Sequence, residues 1–335
     1  MGPLVLDIEG TALTKDDVRR IADPLVGMVI LFTRNYRDRD QLTELCAAIH
    51  AVKPGLLIAV DHEGGRVQRF QEGFTKIPAM AKLGEKWIDE PENTLLSAMA
   101  CGYVMAAELR ACGVDFTFAP CLDINFGRSQ IIGERAFSNN PNVVTQLALA
   151  VVQGLRLAGM SNCGKHFPGH GWVIADSHLE LPVDDRPYNR LLFADLKPYR
   201  WMGQAMDSVM AAHVLYPKVD SNPAGFSEHW LKKVLREELH FTGVVFSDDL
   251  SMKGAVGVGD VTQRAQAALQ AGCDMLIQCN DFEASDQLLA SLKFEDTVER
   301  AERVKRLSPK GDAPTWKELV KTALYKRSKD LIPAV

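Results

Sequence analysis

Residues 164–182, GKHFPGHGWVIADSHLELP, gather three histidines (His166, His170 and His178), Lys165, two acids and three glycines in a stretch that fits neither a helix nor a strand pattern. Side chains of these types serve as metal ligands, as general acids and bases, or as hydrogen-bond partners for a polar substrate. Two other stretches concentrate the same types. DHEGGRVQRF (61–70) carries acids, a histidine and two arginines around paired glycines, and FSDDLSM (246–252) ends an apolar run on two consecutive carboxylates, Asp248 and Asp249.

The elements that would position these residues are legible as alternation. Eight short apolar, β-branched runs recur: PLVLDI (3–8), VGMVILF (26–32), LLIAVD (56–61), FTFAPCLDI (116–124), SNCGKHF (161–167), SVMAAHV (208–214), GVVFSD (243–248) and DMLIQC (274–279). Longer stretches with helical periodicity lie between most of them, among them RDQLTELCAAIHAV, NVVTQLALAVVQGLRLAG and DVTQRAQAALQAG. Strands alternating with helices imply right-handed crossovers and a parallel sheet. Eight such units predict an α/β chain folded as one TIM (β/α)8 barrel over residues 1–335, with further helices after about residue 280. An open doubly wound sheet would want a glycine-rich phosphate turn after the first strand, where DIEGTALTKDD offers one glycine in place of three.

In a barrel, chemistry sits where strands end and βα loops begin. The acids, lysine, arginines and five of the eight histidines (62, 166, 170, 178 and 213) fall at those ends or just beyond. Composition narrows the rest. The 335 residues are 47% hydrophobic and carry a formal net charge of −5 without a basic stripe, so nucleic acid is not the expected partner. The seven cysteines form an odd set without a CxxC pair, mostly inside apolar runs, and are expected as free core thiols. Neither a signal-peptide pattern nor a membrane-length apolar run occurs, so a cytoplasmic protein with no membrane partner is expected.

Two chemistries compete for the rim. A metallohydrolase would use His166 and His170, spaced i, i+4, with His62, His213 and an acid nearby; HFPGH holds a Pro and a Gly that spoil a ligand helix, and the first strand ends without a His pair. Glycoside hydrolysis needs a carboxylate on one side of the sugar, an acid on the other, and donors for the ring hydroxyls. FSDD offers the carboxylate on a rigid element, and DHEGGRVQR offers Asp61 and Arg69 as hydroxyl clamps.

Together DHEGGRVQRF, IGERAFSNNP, KHFPGHG and FSDDLSM resemble the glycoside hydrolase family 3 β-N-acetylglucosaminidases, most closely the single-domain bacterial branch of peptidoglycan recycling. The likeness runs in order from the first strand to about residue 280, and KHFPGHG followed by DSH is its most specific part. The resemblance implies a retaining exo-β-N-acetylglucosaminidase that removes terminal β-1,4-linked GlcNAc from GlcNAc-anhydroMurNAc and its peptides, acting as a cytoplasmic monomer with no cofactor and no metal. It implies Asp248 as the nucleophile, with Asp249 a neighbour without that role. Asp61, Arg69, Arg135, Lys165 and His166 match sugar-binding positions. His178 matches the acid/base and Asp176 its orienting partner; the two are two residues apart, which in an extended segment puts them on one side. Larger members place a carboxylic acid/base on a second domain, so here the loop, expected to be mobile, has to supply it.

Each assignment has a structural rival. Lys165 and His166 could be a buried pair at a strand end, and Arg69 and Arg135 could serve to neutralise Asp61, Glu63 or Asp123. His170 is expected to shape the PGHG turn, His213 is left unassigned, and His50, His229 and His240 are expected on helical stretches facing solvent. A non-catalytic sugar-binding barrel is the remaining alternative to both hydrolases.

Overall fold

The computed structural model describes residues 1–174 and 181–334. Every one of the eight apolar runs contains a strand. In chain order the strands are β1 (Leu4–Leu6), β2 (Val26–Leu31), β3 (Leu57–Val60), β4 (His62–Gly64), β5 (Val67–Gln68), β6 (Phe116–Thr117), β7 (Cys163–Phe167), β8 (Ser208–Ala211), β9 (Val244–Ser247) and β10 (Leu276–Gln278). Here β4 and β5 form an antiparallel hairpin directly after β3, inside the stretch that sequence reasoning treated as a loop.

The remaining strands pair in parallel in two sheets, β10-β1-β2-β3-β6 and β7-β8-β9. Isolated parallel bridges, Phe116 to Ser161 and Phe246 to Met275, link the sheets at both seams. The parallel α/β character expected from the alternation is therefore met, while the continuous ladders make two sheets and not one eight-stranded ring. Helices at Arg39–Val52, Pro91–Ala111, Pro141–Leu157 and Val261–Ala271 fall on the periodic stretches, and EHWLKKVLREELH is helical over His229–Glu238, wound as a π-helix. Helices also follow residue 280; the last, Ala323–Leu331, docks on Pro91–Ala111, where Tyr325 Oη donates to Glu108 Oε1 at 2.6 Å. No helix among the described residues is long and apolar enough to cross a membrane.

Successive residues of a strand point to opposite faces, and the packing follows that period. One face supplies a single buried cluster drawn from all eight parallel strands, including Val5, Met28, Ile30, Leu57, Ala59, Phe116, Cys163, Met210, Val244, Phe246 and Ile277. Within it Phe116, Phe118 and Phe246 pack edge-on or tilted at 5.2–5.8 Å between ring centroids, tying β6 to β9 across the two sheets. The other face, with Leu4, Leu6, Val29, Ile58, Val60, Val209, Val245 and Leu276, packs under the helices. All seven cysteines are free and buried, as expected from their apolar surroundings.

Candidate active site

Continuing the inner parity past the strand ends delivers the polar groups. Leu57 and Ala59 face inward on β3, so Asp61 does too; Cys163 faces inward on β7, so Lys165 does; Val244 and Phe246 face inward on β9, so Asp248 does. These three meet at one cavity of about 640 Å³, lined also by Glu63, Arg69, Arg135, His166, His170 and Asp249. His166, next to Lys165, also enters it because the β7–β8 register shifts between Lys165 and Phe167.

Opposite parity explains two histidines that do not reach the cavity. His62 lies on the outer side of the chain, packed at 5.9 Å from Phe70 and Phe74, and burial lowers its pKa to about 3. His213 shares the parity of Val209 and Ala211, is fully buried and stacks on Phe226 at 5.0 Å. The quartet that a metallohydrolase reading needed is thus not brought together. The expectation of helical, solvent-facing histidines is met only in part: His229 is on a helix and half-buried. His50 is partly covered, with Nε2 3.1 Å from Asp115, whereas His240 is exposed past its helix with φ of 55°.

A chain of ion pairs runs along one wall. Lys165 Nζ lies 2.9 Å from Asp61 Oδ1 and 2.6 Å from Glu63 Oε1, while Arg69 Nη2 reaches Asp61 Oδ2 at 3.3 Å. Arg135 grips Glu63 with both forks, Nε to Oε2 at 2.9 Å and Nη2 to Oε1 at 2.8 Å. Glu63 and Lys165 are each 2% exposed. Burial disfavours both charges, and the neighbours outweigh it: Arg135 and Lys165 hold the Glu63 pKa down, and Asp61 and Glu63 hold the Lys165 pKa up.

The hairpin makes this wall possible. Gly64 and Gly65 turn the chain with φ of 108° and 55° while packed so closely that a Cβ would stand 2.6 Å from the Pro78 carbonyl oxygen and 2.8 Å from the Ala79 Cβ. The turn returns Arg69 to Asp61. Glu63 was not among the sugar-binding positions read from the sequence, only among the acids that Arg69 or Arg135 could neutralise; it does pair with Arg135, as Asp61 does with Arg69, and it joins Arg135 to Lys165.

The second anchor is Asp123. Its Oδ2 is 2.7 Å from His166 Nδ1 and its Oδ1 accepts the His170 backbone N–H at 2.6 Å. Burial alone would raise its pKa, but the His166 ring and the His170 amide bring it down to about 2. His170 therefore shapes the turn through its backbone, as expected, and its side chain lines the cavity as well. Among the described residues Cys121, Asp123 and His166 are the one group whose ligand atoms come within 4.8 Å of one another.

The paired carboxylates after β9 are held differently. The Asp248 amide donates to Ala211 O at 3.1 Å, and its Oδ1 accepts the Asp249 amide at 2.8 Å. Asp249 turns its carboxyl into its own loop, accepting from Ser251 N (3.0 Å), Ser251 Oγ (2.8 Å) and Cys279 N (3.1 Å), and burial pushes its pKa up to about 6. Asp61, Arg69, Arg135, Lys165, His166 and Asp248 thus share one cavity, whereas Asp176 and His178 lie outside the described residues.

Such an arrangement suits a polar, uncharged ring: donors and acceptors alternate along one wall and a carboxylate stands at a strand end. Known proteins agree. The model of the glycosyl hydrolase family 3 N-terminal domain matches residues 5–307. A β-hexosaminidase of Bordetella parapertussis is 54% identical over 333 residues, covering 98% of this chain and 94% of that protein. The crystal structure of NagZ from Neisseria gonorrhoeae in complex with N-trifluoroacetyl-D-glucosamine superposes with a TM-score of 0.93 at 44% identity, covering 99% of this chain and 97% of the other. A family 3 β-N-acetylglucosaminidase from a Paenibacillus strain matches with a TM-score of 0.81 at 30% identity, covering 98% of this chain and 67% of its own. The chain belongs to glycoside hydrolase family 3, and it is a glycoside hydrolase of the β-hexosaminidase kind.

Proposed function

We propose that the protein is a retaining exo-β-N-acetylglucosaminidase that removes terminal β-1,4-linked GlcNAc from GlcNAc-anhydroMurNAc and its peptides during peptidoglycan recycling. The observation that carries this reading is the convergence of Asp61, Arg69, Arg135, Lys165 and His166 with Asp248 on one cavity of about 640 Å³. The five clamp the hydroxyls of a single terminal sugar, with Glu63 locking Lys165 to Arg135.

Asp248 then attacks the anomeric carbon. Its oxygen forms the new bond as the bond to the leaving oxygen breaks, and His178, held in one tautomer by Asp176, gives that oxygen its proton. Water deprotonated by His178 later displaces Asp248 and releases GlcNAc with net retention. Asp249 is unsuited to the nucleophile's part because three hydrogen bonds from Ser251 and Cys279 engage its carboxyl oxygens. The supporting fold is a (β/α)8 barrel over residues 1–335; the bridges at both seams and the inner cluster from eight strands favour closure of the two sheets. A cytoplasmic monomer without metal or cofactor completes the reading.

Its test is hydrolysis of an aryl β-GlcNAc with chelator present. Turnover that survives exhaustive chelation, with β-GlcNAc as the first product, supports the proposal. Loss of activity on chelation would favour a metal-dependent hydrolase, and binding without turnover a sugar-binding barrel.

A further inference from the structure

Beside the catalytic cavity, both flanks of the segment read above as carrying the acid/base converge on one guanidinium. Arg186, 9% exposed, uses two faces of its fork at once: Nε and Nη2 donate to Asp184 Oδ1 and Oδ2 at 3.0 and 2.6 Å, and Nη1 and Nη2 donate to Asp195 Oδ2 and Oδ1 at 2.8 and 3.1 Å. Its Cζ lies over the Trp172 ring at 4.7 Å from the centroid and over the Phe126 ring at 4.8 Å, and those two rings meet edge-on at 5.3 Å.

Each contact fixes a different part of the surroundings. Trp172 follows the HFPGHG turn and begins the segment. Asp184 ends it, where the chain is pinned to the residues after β8 by Asp184 N to Leu215 O and Leu215 N to Pro182 O, both 2.9 Å. Asp195 packs against the turn itself, so closely that a Cβ on Gly169 would stand 2.6 Å from its Oδ1, and Tyr216 Oη donates to the Gly169 carbonyl. Phe126 lies three residues past Asp123, the anchor of His166.

From this geometry we infer that Arg186 is a positioning residue, which ties Trp172 and Asp184, on either side of residues 173–183, to the HFPGHG turn, and that protonation of the leaving oxygen depends on this tie. The inference rests on the reading of His178 as acid/base. Two carboxylates and two aromatic faces around one buried cation exceed what neutralising a charge requires, and only the planar guanidinium can satisfy both forks; a lysine ammonium keeps the charge and loses the geometry. Burial holds Asp195 up at about 6 even beside Arg186, as expected where two buried acids share one cation.

The test compares Arg186→Lys, Trp172→Leu and His178→Ala on two substrates: an aryl β-GlcNAc with a good leaving group, and a GlcNAc disaccharide whose alkoxide needs protonation. A misplaced acid/base costs up to about 10²-fold, so R186K is expected to lose about tenfold to a hundredfold in kcat on the disaccharide. Its first glycosyl transfer from the aryl substrate should stay near wild type, and azide should accelerate its aryl turnover. Equal losses on both substrates in a folded R186K protein would make Arg186 structural and overturn the inference. Should R186K fail to fold, Trp172→Leu, which keeps the ion pairs with Asp184 and Asp195, decides by the same comparison. If H178A shows no leaving-group dependence, the acid/base reading is what fails; if H178A shows it and the Arg186 and Trp172 variants do not, the positioning role fails alone.

Discussion

Lys165 and Glu63 face each other at 2.6 Å with only 2% of either residue exposed, and each is also tied to a second partner, Asp61 at 2.9 Å and Arg135 at 2.8 Å. The ammonium is thereby presented to the cavity with its charge guaranteed and its rotamer fixed. Breaking a buried pair on one side leaves an uncompensated charge and costs about 3–5 kcal/mol. Glu63→Gln is therefore expected to lower the unfolding free energy by an amount of that order in urea melts and to reduce kcat/KM with it; an unchanged melt would place Glu63 outside the load of the wall.

Arg69 behaves differently because its side chain is 32% exposed and meets Asp61 at 3.3 Å. An ion pair this open contributes only about 0–1 kcal/mol to folding. Arg69→Ala should keep nearly the wild-type melt while kcat/KM on aryl β-GlcNAc falls by about 2–5 kcal/mol equivalent, the penalty of leaving a desolvated partner unpaired with substrate bound. Near wild-type efficiency would remove Arg69 from substrate binding.

A mechanism-based fluorosugar should label Asp248, resolved from Asp249 by fragment mass spectrometry. Asp249→Asn is expected to retain labelling, since the Asp249 carboxyl is engaged by Ser251 and by the Cys279 amide after β10; label on Asp249 or Glu63 would reassign the nucleophile. With His178→Ala, the intermediate formed from an aryl substrate should persist and azide should release a β-azide. An α-azide would contradict a covalent intermediate.

Acid stability should report on Asp123. Its folded pKa of about 2 lies below the ordinary 3.8, so its contribution is present above the unfolded value and is lost as pH falls from about 4 to about 2. That contribution is about 2 kcal/mol. The stability gap between wild type and Asp123→Asn is expected to shrink over that window in urea titrations; a gap independent of pH would mean that folding does not shift the carboxyl's pKa.

Asp249 has the opposite sign. Its folded pKa, pushed by burial to about 6, exceeds the ordinary 3.8, so the folded state holds the extra proton and stability declines as pH rises from about 4 to about 6. Asp249→Asn should flatten the melting profile across that range, and a profile as steep as wild type would assign the slope to other groups.

Much of this was written in one dimension. The eight apolar runs fixed the strand order, and the period of two along LLIAVD, SNCGKHF and GVVFSD already placed Asp61, Lys165 and Asp248 on the inner side with the hydrophobic residues beneath them. The same period would have sent His62 and His213 outward, had it been applied to them. What sequence could not carry was pairing across distance. Glu63 was one of three acids that Arg135, 72 positions later, could have neutralised, and nothing in DHEGGRVQR says that it will also meet Lys165, 102 positions later, because that depends on how the hairpin turns at Gly64 and Gly65 and on which strand ends lie side by side. Likewise Asp248 and Asp249 are chemically identical neighbours in the chain. Only the packing around β9 and β10 separates them, by turning one into the cavity wall and tying the other to Ser251 and Cys279, where loss of water shifts its proton affinity.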